Sequence, residues 1–408
     1  MGFSLIDAVQ FYGVRGIGKT FLKKMSLKEA VGELGGDKRL KSNGNDKSKP
    51  TGILAAKTRK GCTIRSLYFL RSVVRNFRDF VGGDTQCATI TSGDIEDIPP
   101  IDFRDGKNES LSPFRQPVLA RGVVRYVGEP VAVVFAENPY IAEDAAELVK
   151  VVIDERTPLL NAVDPPQEFL PGHTTEATVI EQSYGDIDAT FAAAHVVVEV
   201  EVSIGRHTGV PLENRGAIGR YDATNDVLEI HGAAKVPHRN REAIARMFGR
   251  NLSGVHFFEG HVGGGFGVRG ELYPEDVLVG AAAMRLGCPI KWIEDRQEHL
   301  MATNHSRQQH HKIRAAVAAD GEVLAIDDEL YLDQGAYIRT HGTRVANLTT
   351  GTLPGLYRFP IFRAICHFRL TNKTPAATYR SPGRFESTFV RERLMDAIAT
   401  ELGLDVIA

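Results

Sequence analysis

The run with the most chemical potential is His261-Val262-Gly263-Gly264-Gly265-Phe266-Gly267-Val268-Arg269-Gly270-Glu271. Glycines at 263, 264, 265, 267 and 270 leave the backbone bare, so its N–H groups can approach an anion or a flat cofactor with no Cβ in the way. The glycines are not spaced as the dinucleotide fingerprint GxGxxG. Phe266 among them argues for contact rather than a plain turn, because a bulky apolar residue on such a loop is placed there to touch something. Gly13-Val-Arg-Gly-Ile-Gly18-Lys19-Thr20 fits GxxxxGK[ST], in which N–H groups cradle phosphates, Lys reaches the β/γ-phosphates and Thr holds Mg²⁺. No clear apolar strand ending in Asp follows to hold the metal's water shell, and repeated strand–helix units are missing. The match therefore reads as coincidence, with an NTPase as the weaker alternative. His305, His310 and His311 lie in the polar stretch ATNHSRQQHHKIR and read as solvated side chains rather than metal ligands. Four cysteines (Cys62, Cys87, Cys288, Cys366) form no CxxC pair, which argues against a disulfide scaffold, a zinc finger or an iron–sulfur cluster carried by this chain.

The elements that must position these residues come from a 408-residue chain, long enough for two or three domains. It is 43% hydrophobic and 25% charged, as expected for a globular protein with a proper core. The longest apolar stretches, such as residues 131–136, are strand-sized, so no membrane span is expected. The start, MGFSLIDAVQFYGVRG, lacks the pattern of a secretory signal, and a cytoplasmic location is expected. The net charge of −2 conceals a split. Residues 1–86 carry 17 Lys+Arg against 7 Asp+Glu, a net of +10; residues 87–408 carry 32 against 44, a net of −12. Residues 1–86 are basic and poorly patterned and read as a disordered or aberrant tract. With no aromatic residue among residues 38–60 to stack on bases, solvated charge is preferred to a nucleic-acid arm. Beyond residue 117 the pattern becomes orderly: strands over 118–126 and 130–136, a helix opened by Asn138-Pro139, and a strand over 150–154. Strands over 195–202, 216–221, 227–231 and 254–260 follow, with a short helix over 237–248. A buried Ala-rich helix spans 274–286, then come strands over 289–294, 313–318 and 323–332. A last loop, Thr378-Tyr379-Arg380-Ser381-Pro382-Gly383-Arg384, opens a helix over 386–402. The mixture of hairpins and strand–helix–strand units indicates an α+β (mixed α/β) fold.

Several of these blocks, in order, resemble a known family. VRYVGEPVAVVFAENPYIAEDAAELVKV is similar to the α/β-hammerhead domain of molybdenum hydroxylase large subunits, the xanthine dehydrogenase, aldehyde oxidase and aerobic carbon monoxide dehydrogenase family. GGGFG and the later TYRSPGR loop resemble that family's molybdopterin-binding domain. After the basic segment over 1–86, which the charge pattern marks, the resemblance implies a hammerhead-like domain over 87–165, a linker over 166–185 and the first half of a molybdopterin-binding domain over 186–408. It implies molybdenum held by a molybdopterin dinucleotide, expected in the cytosine form, and oxidation of an aldehyde or N-heterocycle. Iron–sulfur clusters and FAD are then expected on partner chains, an iron–sulfur small subunit and an FAD-binding medium subunit. Matched residue by residue, Gly264, Gly265, Phe266 and Gly267 would surround one side of the cofactor, with Arg380 and Ser381 contributing to the other. Lys235 falls where many members carry a Gln aimed at the metal's oxo group.

Departures narrow the expectation. The copper-type carbon monoxide enzymes carry Cys where this chain has Ser381, and a hydroxyl does not bind Cu(I) as a thiolate does. Purine hydroxylases carry Glu at the position of Gly270, one residue before Glu271, and Phe at the position of Pro382. The family's general-base glutamate lies in a GxGE motif, which occurs nowhere in this sequence, so the catalytic base is unassigned. A partner chain supplying the second half of the cofactor domain is expected, with a cofactor-free fragment or assembly protein as the alternative. Glu213-Asn214-Arg215-Gly216 reads either as a family block or as a turn with a surface ion pair. Trp292 reads as a core strand residue, and Tyr357 and Arg363 as turn or channel residues.

Overall fold

The computed structural model describes residues 9–14, 62–63, 88–104, 109–149 and 151–407. The strands are β1 (Val9–Val14), β2 (Cys62–Thr63), β3 (Ala88–Thr91), β4 (Ala132–Ala136), β5 (Val151–Val152), β6 (Glu168–Leu170), β7 (His173–Thr174), β8 (Glu176–Tyr184) and β9 (Val196–Ile204). After these come β10 (Gly216–Asp222), β11 (Val227–Gly232), β12 (Val255–Phe258), β13 (Ile290–Ile293), β14 (Gln309–Val317), β15 (Val323–Asp333) and β16 (Ile361–Arg369). The α-helices are α1 (Pro139–Glu147), α2 (Ile187–Ala193), α3 (Pro237–Met247), α4 (Pro274–Leu286), α5 (Arg296–Ala302), α6 (Arg344–Thr352) and α7 (Arg384–Leu402).

Two sheets carry the architecture. The first has the order β12-β11-β10-β13-β1-β4-β3, and the second β8-β16-β15-β14-β9. Both are mixed: β11 runs parallel to β12 and antiparallel to β10, while β15 runs parallel to β16 and antiparallel to β14. β1 lies parallel to β13 and antiparallel to β4, so one sheet draws strands from 88–136 and from 216–293. Two small pairs, β2 with β5 and β6 with β7, stand apart from these sheets.

Each sheet buries one apolar face under helices. α4 starts with Pro274 at its first position and stops at Gly287 in the left-handed region, φ +65°. Its residues Val277–Ala283 are all buried, and it presses on β10 at Gly219, where a Cβ would lie 2.3 Å from the Val279 carbonyl oxygen. Leu228, Ile230, Ile290 and Trp292 complete that core, confirming Trp292 as a core strand residue. In the second sheet Val198, Val202, Ile313, Ile326 and Phe362 meet Val390, Leu394 and Ile398 of α7. The other side is polar: Arg314, Asp327 and Arg363 form a ladder across three strands, with Asp327 2.8 Å from each arginine. Arg363 is thus a ladder residue, not a turn residue, and the Tyr357 hydroxyl donates to Glu392 at 2.8 Å.

One expected strand is absent. Residues 118–126 bury Val118, Leu119 and Ala120 without forming a ladder. Gly122 adopts φ +70°, and Arg121 turns back to donate to the Ile95 and Ile98 carbonyls at 3.1 and 2.8 Å. The apolar run is core, but its backbone is bent away from an extended path. The expected strand over 150–154 is likewise reduced to the two residues of β5.

Candidate functional site

The glycine loop leaves β12 and enters α4 through a 3₁₀ turn, Val268–Gly270. Gly264 and Gly267 have φ +102° and +107°, and Phe266 between them has +49°. At Gly267 a Cβ would stand 2.4 Å from the Thr378 carbonyl oxygen, so only glycine fits this crossing. The loop is pinned from behind. The Gly263 N–H donates to Glu213 Oε2 at 2.8 Å. Arg269, 3% exposed, donates to the Glu213 and Asn214 carbonyls at 2.9 and 3.0 Å and to Glu213 Oε2 at 3.0 Å. The Tyr273 hydroxyl sits 3.0 Å from the Val268 carbonyl and against Asn304 Oδ1.

The second loop, over 378–383, is laid against the first. The Arg380 N–H donates to the Phe266 carbonyl at 2.7 Å, and the Asn304 amide reaches the Thr378 carbonyl at 3.4 Å. Gly264, Gly265, Phe266, Gly267, Arg380 and Ser381 are therefore brought together. Phe266 is 48% exposed, and Arg380 and Ser381 are exposed beside it. Among the described residues, the N–H groups of Gly264, Gly265, Phe266 and Gly267 make no backbone hydrogen bond. Such a row of uncommitted donors forms an anion-binding concavity. Strain concentrates here too: of the four described non-glycine residues with positive φ, three are Phe266, Arg307 and Ser381. Each such residue costs about 1–3 kcal/mol and persists only where its surroundings over-determine it. Lys235 stands further back: its N–H donates to the Arg269 carbonyl at 2.9 Å, at the far end of the glycine run, and its side chain is exposed.

The carboxylates near the loops are committed elsewhere. Glu271 is 1% exposed and accepts from the Thr340 N–H at 3.1 Å, the Thr340 hydroxyl and His341 Nδ1. Burial would push its carboxyl up, yet His341, Arg339 and Arg104 bring it down to about 2. Arg215, left open between a family block and a surface ion pair, is 5% exposed and pairs with buried Glu294 and, at 3.3 Å, with Glu275. A surface ion pair is thereby excluded.

One of the histidines read as solvated differs from expectation. His311 is fully buried, with Nδ1 2.8 Å from Asp328 and Nε2 3.0 Å from Gln309. His305 is partly buried, its imidazole pushed down to about 4 by desolvation, and His310 lies 2.8 Å from the Ser203 hydroxyl. Of the three, only His311 is fully buried; His305 and His310 keep part of their surface in solvent. No group of three or more His, Cys, Asp or Glu that could hold a metal ion occurs among the described residues. Residues 15–20 of the GxxxxGK[ST] match lie outside the described residues.

Four residues of the site escape sequence reasoning: Arg269, Asn304, Arg307 and Glu386. Arg269 carries a signal in its place inside the glycine run. Arg307 sits in the histidine-rich polar stretch, where nothing in its spacing marks it as buried and in contact with the second loop.

Comparison with known proteins gives these loops a context. Residues 170–408 match the family model for the molybdopterin cofactor-binding domain, and residues 87–157 match that for the aldehyde oxidase and xanthine dehydrogenase a/b hammerhead domain. The chain is 43% identical over 302 residues to the 6-hydroxypseudooxynicotine dehydrogenase complex subunit gamma of Paenarthrobacter nicotinovorans, covering 72% of this chain and 38% of that protein. It is 32% identical over 327 residues to the nicotine 6-hydroxylase large subunit of the same organism, covering 76% and 39%. Among solved structures, quinoline 2-oxidoreductase from Pseudomonas putida 86 superposes with a TM-score of 0.74 at 29% identity, covering 82% of this chain and 43% of that one. The chain thus spans about two fifths of the length of these three proteins. With its glycine loop and its arginine loop both inside the matched cofactor-binding region, the chain belongs to the molybdenum hydroxylase large-subunit family.

Proposed function

We propose that this chain holds a molybdenum–molybdopterin cofactor between its two loops and forms part of an enzyme that oxidises an N-heterocycle or an aldehyde. The observation that carries the reading is the 2.7 Å hydrogen bond from the Arg380 N–H to the Phe266 carbonyl, which sets Arg380 and Ser381 beside the free N–H groups of Gly264–Gly267. The residues present fit the group: bare N–H donors suit oxyanions, and the exposed Arg380 guanidinium suits a phosphate by its two-pronged geometry. A dinucleotide form of the pterin, expected to carry cytosine, would give Arg380 such phosphates. When bound, the group supplies a two-electron oxidation that takes its oxygen from water.

The chain's own residues bind and orient. Exposed Phe266 offers an aromatic face on which a flat ring can stack, and two relatives named for nicotine and quinoline favour the N-heterocycle over the aldehyde. Ser381 offers a neutral hydroxyl, which disfavours a copper-dependent reaction. Glu213 and Glu271 are held by Gly263, Arg269, Thr340 and His341, so neither is proposed as the base. We propose that a glutamate outside these 408 residues serves as the base, and that iron–sulfur and FAD-binding subunits carry the electrons away.

The test is metal and pterin analysis of the full chain purified from a host that makes the cofactor. Stoichiometric molybdenum and pterin are expected, and both should fall sharply in Gly267→Ala. A folded chain carrying neither would sink the reading.

A further inference from the structure

The second loop is held by a side chain outside both loops. Arg307 lies just before β14 and is 7% exposed, with φ +71°. Its guanidinium sits between two aromatic rings, 4.6 Å from the Tyr379 centroid and 4.2 Å from that of Phe385. Nη2 donates to the Arg380 carbonyl. Nη1 stands 3.2 Å from Glu386 Oε1, near enough for an ion pair though not aligned as a hydrogen bond. Glu386 is itself fully buried in the first turn of α7. One planar cation thus touches four consecutive features of the turn: the ring before Arg380, the Arg380 carbonyl, and the ring and carboxylate opening α7.

The platform beneath Arg307 is rigid. The His305 N–H donates to the Pro375 carbonyl at 3.0 Å, and the Ala377 N–H donates back to the His305 carbonyl at 2.7 Å. Ser306 and His207 exchange N–H donations at 2.8 and 3.1 Å. The backbone of 305–306 is therefore fixed to two neighbouring segments, and only the side chain of 307 reaches across to the turn. Ser381 within that turn has φ +56°, a conformation that persists only where its surroundings over-determine it.

We infer that Arg307 is a positioning residue that clamps the 379–386 turn, keeping Ser381 in its left-handed conformation and Arg380 against Phe266. The clamp needs both charge and a planar face, which a guanidinium has and an ammonium lacks. The inference rests on the two-loop reading for its functional meaning, but the clamp is visible without cofactor.

The experiment is hydrogen exchange on the full 408-residue chain without cofactor, read at the amides of Arg380 and Phe385. Arg307→Ala is expected to speed exchange at both by about tenfold or more, with the interior of α7 unchanged. Arg307→Lys should open the turn nearly as far, because it keeps the charge and loses the plane. Millimolar guanidinium chloride should restore protection in Arg307→Ala and leave Arg307→Lys open. Tyr379→Leu, which removes no charge, should open the turn partly. Unchanged exchange in Arg307→Ala would overturn the inference. So would an equal rise throughout α7, or a failure of guanidinium to restore protection. In cofactor-loaded protein, Arg307→Lys should lose pterin on gel filtration while parent protein retains it. A parent chain that never binds pterin would instead remove the proposed function and leave the exchange result standing.

Discussion

Gly267 is the residue at which the two loops touch most closely, and its absent side chain is the reason they can. A methyl group there meets the Thr378 carbonyl at 2.4 Å and also forces a non-glycine residue to φ +107°. Gly267→Ala is therefore expected to destabilise the chain by about 2 kcal/mol or more, seen as a lowered melting temperature; an unchanged melting temperature would contradict the crossing. That glycine was legible in the sequence, since a run of glycines announces backbone that must lie bare. The partners of polar residues were not. His311 looks solvated beside Gln308 and His310, yet its carboxylate partner is 17 residues away, and Arg215 finds Glu294 79 residues away. Local polarity reports composition, whereas burial is decided by what folds over the residue from elsewhere.

Helices were easier to read than strands because their ends carry chemical marks. Asn138 accepts from the Ile141 N–H at 3.0 Å to open α1, and Gly403 closes α7 in the left-handed region. Residues 118–126 carried the composition of a strand, but Gly122 and Arg121 bend them, so the apolar signal located core without locating a ladder. The same stretch leads into the Gly128-Glu129 turn, where Glu129 is 2% exposed. Its carboxyl accepts from the Arg125 N–H at 2.6 Å and the Tyr337 hydroxyl at 2.5 Å, tying the turn to the segment after β15. Burial pushes it from 4.5 up to about 7, against the pull of Arg125 and Tyr337. Its native pKa lies above its unfolded one, so between these values the native state binds more protons. Stability from this group is then full at low pH and falls as pH rises toward 7, by about 3 kcal/mol in all. Glu129→Gln removes the titration while keeping an acceptor oxygen. In urea unfolding, the stability difference between variant and parent should therefore shift in the variant's favour by about 2–3 kcal/mol from pH 5 to pH 8. A constant difference would refute it.

At the scale of the whole molecule, the chain crosses between the sheets from β9 to β10 and back from β13 to β14, and a buried charge cluster ties these crossings together. Arg215 stacks on Tyr273 at 3.9 Å and pairs with Glu294 and Glu275, while His299 lies between Glu294 Oε2 at 2.9 Å and the Gly209 carbonyl at 3.1 Å. Arg215→Met would strand two buried carboxylates, and its expected cost is about 3–5 kcal/mol. A loss below about 1 kcal/mol in chemical denaturation would show that the cluster relaxes instead. The ordered sequence blocks made the family legible at this scale. Strand order was not, because no local pattern records a partner far along the chain. β1 finds β13 far along the chain, and the edge strand β8 must also wait: Tyr184 pairs with Phe362, 178 residues later. A ribosome adding roughly 5–20 residues per second would leave β8 without its neighbour for on the order of 10–40 s. During that interval Val179 and its row of unpaired N–H and C=O groups are open to any other strand edge nearby. The order in which the chain is made, and not only the order in which its strands lie, therefore decides when this protein is most exposed to mispairing.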